Sequence, residues 1–427
     1  MDYISLLAPR LGGCLLLLLF LHTSFVSSHA PHFNRSDGAA MHNAFNAVVA
    51  RLELSVTVNG TFAVPQECHG SPIRGWWNSG AALTAVALQL RWRNTSAARS
   101  SSSAALLRTA LAGAAKHGRG DFRPPMNRYN DDQLWWLWAA VETAAALTDP
   151  TDAALSAALV AAVRKGIGEL RGCVVDACGG RSVTWSRRLE KTSTVSSSHN
   201  ATTCVPTNAS AGGYKASIAN SLLMVVAARL HEVTGADSEA RELAVEQWRW
   251  LNRSVMRGDG MIVDGVALTN CTLHNATYSY NQGVAIAGLV ALHRTQGRSA
   301  AAAYLDAAVR IGRASTTNLF VDGGGVVREP CEGSGNCGCD GTSFRGPFVR
   351  GLADLYLATG DADIRALLNR TMSAALNRDC NAQWQFGLHW NGPNDLPLTT
   401  LTQMPTIDLF AAAYAAQFIV PTRVLDV

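Results

Sequence analysis

Helix-forming runs that are apolar on every side alternate along this chain with runs that carry charge on one face, and this alternation limits the possible folds severely. In "LWWLWAAVETAAAL", Leu134 to Leu147, only Glu142 and Thr143 are polar, so a helix built from it must be surrounded by protein. By contrast, "SEARELAVEQWRWLNRSV", residues 238–255, sets Leu243, Trp248 and Leu251 among Glu239, Arg241, Glu242, Glu246, Arg249 and Arg253. Such a helix can turn one side to water. Segments of the first kind fall near 76–90, 131–147, 214–231, 279–293, 343–357 and 403–417, and those of the second near 37–50, 100–117, 151–170, 238–256, 300–316 and 363–377. Six of each predict twelve helices in an inner and an outer layer. The later inner segments recur at about 60 residues, the signature of a repeated helical hairpin. Heavy use of Ala inflates helix propensity throughout the chain, so the periodicity carries the assignment.

A linear solenoid and a closed ring both satisfy this alternation. The repeats share no evident consensus, and the unusual polar and aromatic residues gather where inner segments begin: "WWNSG" at Trp76, "NDDQLWW" at Asn130, "YKASIAN" at Tyr214, "YSYNQG" at Tyr278 and "TSFRGPF" at Thr342. A ring of six hairpins with alternating helix direction brings these five to one mouth, so the expected fold is all-α, an (α/α)6 toroid. No strand-rich region and no dividing linker is evident. The main irregular stretch, 172–213, is rich in Gly, Ser and Thr and carries Cys173, Cys178 and Cys204. A loop of that length in a compact domain is usually functional or disordered, and this one is expected to wall a cleft.

The first thirty residues have a different character. Arg10, the apolar run from Leu15 to Leu21 and the ending Ser28-His29-Ala30 are expected to form a secretory signal cleaved after Ala30, leaving 31–427 as a single catalytic domain. The apolar run is too short to span a bilayer. Nine N-x-[ST] sequons, at Asn34, Asn59, Asn94, Asn200, Asn208, Asn252, Asn270, Asn275 and Asn369, support the same route. Of ten cysteines, Cys14 lies in the signal, so most of the other nine should pair in an oxidising compartment and one is left over. Cys331, Cys337 and Cys339 lack a spaced histidine partner, so disulfides are expected there in preference to a metal, and no cofactor is implied. The 36 basic and 32 acidic residues are spread without a basic block, which argues against nucleic acid as a partner. The stretch Leu409 to Val420 fits the last inner helix better than a removable lipid-anchor signal. A soluble secreted monomer is expected, with no membrane attachment after signal removal.

In "YNDDQLWW", residues 129–136, two aspartates stand side by side before a greasy run. One Asp would suffice to cap the helix. Glycosidases need two carboxyl groups, one protonated to assist the leaving group and one ionised, about 5 to 5.5 Å apart in the retaining mode. Neighbouring aspartates at a helix start can meet that spacing, and like charges so close raise one pKa and keep one partner an acid. Trp77, Tyr280 and Phe344 offer flat faces to sugar rings, while Asn130, Asn220, Asn281, Gln282 and Arg345 are candidate hydrogen-bonding partners for hydroxyls. Each also has a structural alternative: Asn281 and Gln282 could serve the helix that follows them, and Trp135 and Trp136 cannot both face one way.

The segments "YNDDQLWWLW", "YKASIANSLLMVVAARLHEVTG", "YSYNQGVAIAGLVALHRTQG" and "GGGVVREPCE" followed by "CDGTSFRGPFVRGLADLY" together resemble glycoside hydrolase family 76, over about Asn78 to Gln417. The resemblance implies an (α/α)6 enzyme that cleaves α-1,6-linked mannose polymers with retention through two consecutive aspartates, Asp131 as nucleophile and Asp132 as general acid/base. The long Ser- and Thr-rich insertion after Trp185 departs from the family pattern and bears on subsite number. Three functions follow in order: a secreted endo-α-1,6-mannanase, a transglycosidase remodelling a mannose-containing wall or anchor glycan, and a non-catalytic mannan-binding toroid.

Overall fold

The computed structural model describes residues 38–419 except 58–59, 63–74, 94–100, 119, 124–126, 189–203, 208–212, 297, 318, 336 and 395–397. The expected signal, five of the sequons (Asn34, Asn59, Asn94, Asn200 and Asn208) and Cys68 lie outside the described residues. The long helices are α1 (Gly38–Glu53), α2 (Trp76–Arg93), α3 (Ser102–His117), α4 (Asn130–Ala146), α5 (Ala153–Leu170), α6 (Ser217–Thr234), α7 (Ser238–Ser254), α8 (Ser279–Thr295), α9 (Arg298–Ser315), α10 (Arg345–Thr359), α11 (Ala362–Ala374) and α12 (Thr400–Phe418).

Burial follows the sequence pattern. In α4 every residue except Asp131 and Ala145 is buried, whereas α7 buries one side, through Leu243, Trp248, Trp250 and Leu251 among others. Even-numbered helices form the inner layer. Each packs against the next, α2 on α4, α6, α8, α10 and α12 in turn, and α12 packs back on α2. That last contact closes the ring and rules out the linear solenoid. Glycine permits part of the closeness: a Cβ on Gly283 of α8 would lie 2.3 Å from the Pro347 carbonyl oxygen of α10, and one on Gly351 would lie 2.1 Å from the Gly283 oxygen.

Away from the helix starts, buried ion pairs join neighbouring inner helices. Glu142 of α4 takes Arg229 of α6 at 2.7 Å and Arg91 of α2 at 3.0 Å, and Arg350 of α10 pairs with Asp408 of α12 at 2.8 Å. Burial alone would raise the Glu142 pKa, but the two arginines outweigh it and hold it at about 2.

A backbone device not evident in the side-chain pattern recurs after outer helices. Tight hairpin turns close the bridges Val56 to Phe62, Met256 to Ile262, Val321 to Val327 and Cys380 to Phe386. Two residues before the second partner, each turn has a residue at positive φ: Gly60 (80°), Gly260 (94°), Gly325 (73°) and Trp384 (57°). The left-handed region favours glycine, and only Trp384 departs from it. Polar side chains then fasten these turns to neighbouring helices. Ser79 accepts from Phe62 N at 2.9 Å, Gln282 clasps the backbone N and O of Ile262 at 2.9 and 2.7 Å, and Gln403 clasps those of Phe386 at 3.1 and 2.7 Å.

Strand is sparse and confined to the mouth. β1 (Val174–Asp176) and β2 (Arg181–Val183) form a hairpin, and β3 (Tyr214–Ala216), β4 (Gly265–Ala267) and β5 (Leu273–His274) form an antiparallel sheet in that order. The inner helix expected from Tyr214 therefore begins at Ser217, because residues 214–216 pair in register with 265–267. Disulfides pin this region, Cys173 to Cys204 and Cys178 to Cys271. In the cysteine cluster Cys331 pairs with Cys337 and Cys339 is also disulfide-bonded, while the free thiol among the described residues is the buried Cys380.

Candidate active site

Helix α4 enters the mouth without a side-chain cap: Tyr129 is its N-cap in extended conformation and makes no capping bond. The entry is fixed by backbone, with Asn130 N donating to Trp185 O at 2.8 Å. Asp131 and Asp132 thus fall in the first turn, where the helix dipole favours negative charge, and neither is the capping residue. Trp185 Nε1 donates to Asp131 Oδ2 at 3.1 Å and Asn127 Nδ2 donates to Asp132 Oδ2 at 2.8 Å. Asp131 Oδ1 is buried without a hydrogen-bond partner.

Burial raises the Asp131 carboxyl to about 7, against the Trp185 bond and backbone amides that favour its charged form. Burial also holds Asp132 well above the usual carboxylate range, and the neighbouring Asp131 charge pushes it the same way. Asp132 lacks the backbone amides that assist Asp131, which favours ionisation of Asp131 over that of Asp132.

Both aspartates line a cavity of about 870 Å³. One wall is Trp77, Trp135, Tyr280 and Phe344, with Tyr280 and Phe344 stacked at 4.0 Å and Trp77 lying 5.4 Å from Trp135. A second set comprises Tyr129, Trp185, Tyr214 and His274, with centroids 4.6 Å apart for Tyr129 and Trp185 and 4.9 Å for Tyr214 and His274. Two further carboxylates reach the cavity. Asp340 accepts from Trp77 Nε1 at 2.7 Å, and Asp264 accepts from Tyr214 OH at 2.6 Å. The lining holds four aspartates and no Lys or Arg among the described residues. Such a surface repels anions and suits a neutral polyol, whose C–H faces pack on aromatic rings and whose hydroxyls donate to carboxylates.

Of the residues expected at the site, Asp131, Asp132, Trp77, Tyr280 and Phe344 come together in the cavity. Asn130, Asn220, Asn281, Gln282 and Arg345 are fully buried and do not line it. Their polar groups hold backbone: Asn130 donates to Thr184 O at 2.7 Å, Asn220 accepts from Val183 N at 2.9 Å and donates to its O at 3.1 Å, and Gln282 clasps Ile262. Arg345 pairs with Glu332 at 2.6 Å and lies 4.2 Å over the Trp390 ring. Asn281 is buried with no partner for either amide atom, and nothing in the structure explains it. Of the paired tryptophans, Trp135 faces the cavity while Trp136 is core, its Nε1 donating to Trp76 O at 2.7 Å.

Sequence reasoning missed Asn127, Asp264, His274 and Asp340, and it placed Tyr214 at the mouth without assigning it to the site. Asp340 directly follows the disulfide-bonded Cys339, and the bond from Trp77 Nε1 holds it at the cavity. Glu329 and Glu332 form a reciprocal capping box in that segment, and Glu329 also receives Ser279 N at 3.3 Å at the start of α8.

A closed ring of helical hairpins with a carboxylate pair in an aromatic, anion-repelling cleft at the inner-helix starts has the equipment of a carbohydrate-active toroid. The chain belongs to glycosyl hydrolase family 76, whose sequence profile matches residues 203–423. That match begins beyond Asp131 and Asp132 and does not cover the pair. A Schizosaccharomyces pombe protein provisionally named a mannan endo-1,6-α-mannosidase is 27% identical over 285 residues, covering 64% of this chain and 57% of that one. The Candida albicans mannan endo-1,6-α-mannosidase DFG5 is 31% identical over 145 residues, 32% of this chain and 31% of its own. The chain thus spans little more than half of the first relative and about a third of the second. An inactive variant of the α-1,6-mannanase of Salegentibacter sp. HEL1_6, with two consecutive aspartates changed to asparagine and α-1,6-mannotriose bound, superposes with TM-score 0.68 at 18% identity. The match covers 88% of this chain and 99% of that one, and at this identity it supports the fold alone.

Proposed function

We propose that this protein is a secreted, retaining endo-α-1,6-mannosidase that cuts within mannan chains as a monomeric catalytic domain. The observation that carries the reading is the Asp131 and Asp132 pair at the α4 start, raised in pKa and set in an aromatic cavity with no Lys or Arg among its described lining residues. Asp132, the protonated partner, donates to the glycosidic oxygen as the C1–O bond breaks. The Asp131 carboxylate attacks C1 to form a glycosyl-enzyme, and the Asp132 carboxylate then takes a proton from the water that releases the sugar. Trp185 Nε1, donating to Asp131 Oδ2, steadies the Asp131 charge. Trp77, Tyr280 and Phe344 would carry the sugar faces. The disulfides among the described residues support passage through an oxidising compartment, and no described helix is long and apolar enough to cross a membrane.

The test is product analysis on α-1,6-mannan oligosaccharides with NMR of the first-formed anomer. Shorter products with retained configuration are expected. Longer products would identify a transglycosidase, an inverted anomer would refute the covalent route, and binding without turnover would refute catalysis. With an activated substrate, azide should rescue Asp132→Ala with retention, whereas Asp131→Ala can give only the inverted azide product.

A further inference from the structure

From the rim of the cavity we infer that Asn270 and Asn275 are paired N-glycosylation sites whose glycans fence one side of the mouth and limit entry of bulky polymer. Both are sequons, Asn270-Cys271-Thr272 and Asn275-Ala276-Thr277. They flank β5, and their preceding neighbours Thr269 and His274 line the cavity. Residues 269–276 form one continuous exposed run. The Asn270 side chain uses only its oxygen, accepting from Thr272 N at 3.1 Å and from the Thr269 hydroxyl at 3.4 Å, which leaves Nδ2 free to react. The other described sequons, Asn252 and Asn369, lie within outer helices α7 and α11 and touch no part of the cavity.

The root of the fence is rigid. Cys271 is joined to Cys178 with Cα atoms 5.2 Å apart, which ties the β4–β5 turn to the β1–β2 hairpin. Glycans borne on this turn are therefore held at the rim. Leu273, 42% exposed between the two sites, gives their sugar faces an apolar surface to cover. Attachment forms a C–N bond between Asn Nδ2 and the anomeric carbon of a lipid-pyrophosphate-linked oligosaccharide. The sugar–pyrophosphate C–O bond breaks, the lipid pyrophosphate leaves with the electron pair, and Nδ2 loses one proton.

The fence rests on the proposed mannanase reading, but occupancy does not. The full chain would be produced in a eukaryotic secretory host and its glycopeptides mapped by mass spectrometry, with expected occupancy at both positions. Asn270→Gln/Asn275→Gln is compared with Thr272→Val/Thr277→Val, which keeps the asparagines and the Thr272 N–H bond, and with Asn252→Gln as a remote control. Losing both glycans should raise kcat/KM on polymeric mannan about threefold or more, ~0.65 kcal/mol, and leave α-1,6-mannotetraose unchanged. Tighter mannan binding, measured by calorimetry, should accompany the gain. Unoccupied sites, or occupied sites whose removal changes neither polymer turnover nor polymer binding, overturn the inference. Failure to cut mannotetraose at all overturns the mannanase reading instead, and mapping and binding still decide the fence.

Discussion

Replacing Asp131 by Asn should stabilise the protein above neutral pH while abolishing catalysis, and the sign of the first effect distinguishes a catalytic pair from a helix cap. In the folded protein burial lifts the Asp131 pKa from 3.8 to about 7. A carboxyl raised in this way favours the native state fully below about pH 4, and that advantage is lost as pH climbs through 7. The rise of roughly three units corresponds to at most about 4 kcal/mol at 1.36 kcal/mol per unit. The group faces a solvent-accessible cavity and its neighbours relax, so a net gain of ~1–2 kcal/mol for the neutral amide at pH 8 is reasonable. Asn retains an oxygen for Trp185 Nε1, and removing the charge relieves Asp132. At about 2 °C per kcal/mol for a chain of this size, Tm should rise by roughly 2–4 °C at pH 8 and stay unchanged near pH 4, measured by calorimetry across that range. A cap would behave oppositely: losing its charge at the positive helix end costs ~0.3–1 kcal/mol wherever the carboxylate is ionised. A lower Tm at pH 8, or wild-type activity on mannan, would refute the reading of a strained functional pair.

Gln282→Ala should cost ~2–4 kcal/mol of stability, because the Ile262 N–H and C=O lose their buried partner; denaturant unfolding checks this, with turnover per folded molecule preserved. Trp185→Phe keeps the ring but removes the donor to Asp131. It should lower kcat/KM about tenfold, in line with ~1.5 kcal/mol for a hydrogen bond to a charge, and move the acid limb of the pH profile upward from its place near 7. Glu142→Gln leaves Arg229 and Arg91 without their buried carboxylate and should cost ~3–5 kcal/mol. With a native pKa of about 2 against an ordinary 4.5, the Glu142 contribution is present above about pH 4.5 and lost as pH falls toward 2, so the mutant's deficit should shrink on acidification.

The helical layers were legible because burial on all sides leaves a coarse, redundant signature: Glu142 and Thr143 are the only polar residues in fourteen. Ring closure was less so, since the contact of α12 with α2 joins distant parts of the chain that no local period links. The repeats do have a common element, but it lies in backbone conformation. "VNGTF", "GDGMI", "GGGVV" and "AQWQF" look unrelated as side chains, yet each places a left-handed residue two positions before a buried apolar anchor at Phe62, Ile262, Val327 or Phe386. Glycine in three of four was the visible trace, and Trp384 concealed the fourth.

Polar residues at the inner-helix starts divided into two populations that sequence treats alike. Gln282 and Tyr280 are two positions apart on α8, a rotation of roughly 200° at 3.6 residues per turn, so one meets the cavity while the other meets the wall of the ring. Asn220 and Gln403 follow Gln282 in gripping the backbone of a neighbouring turn or strand. An amide presents both a donor and an acceptor, which is what a sugar hydroxyl needs and equally what one peptide unit in a tight turn needs. Composition cannot separate these uses; only the location of unpaired backbone can. Carboxylates differ because an anion grips a turn only through donors. Asp264 and Asp340 in the cavity accept from the Tyr214 hydroxyl and Trp77 Nε1, and with no described Lys or Arg lining it they leave acceptor capacity that the backbone does not fill. Unspent acceptors at the mouth of an all-α ring are therefore a sharper mark of a sugar site than amides at the same helix starts.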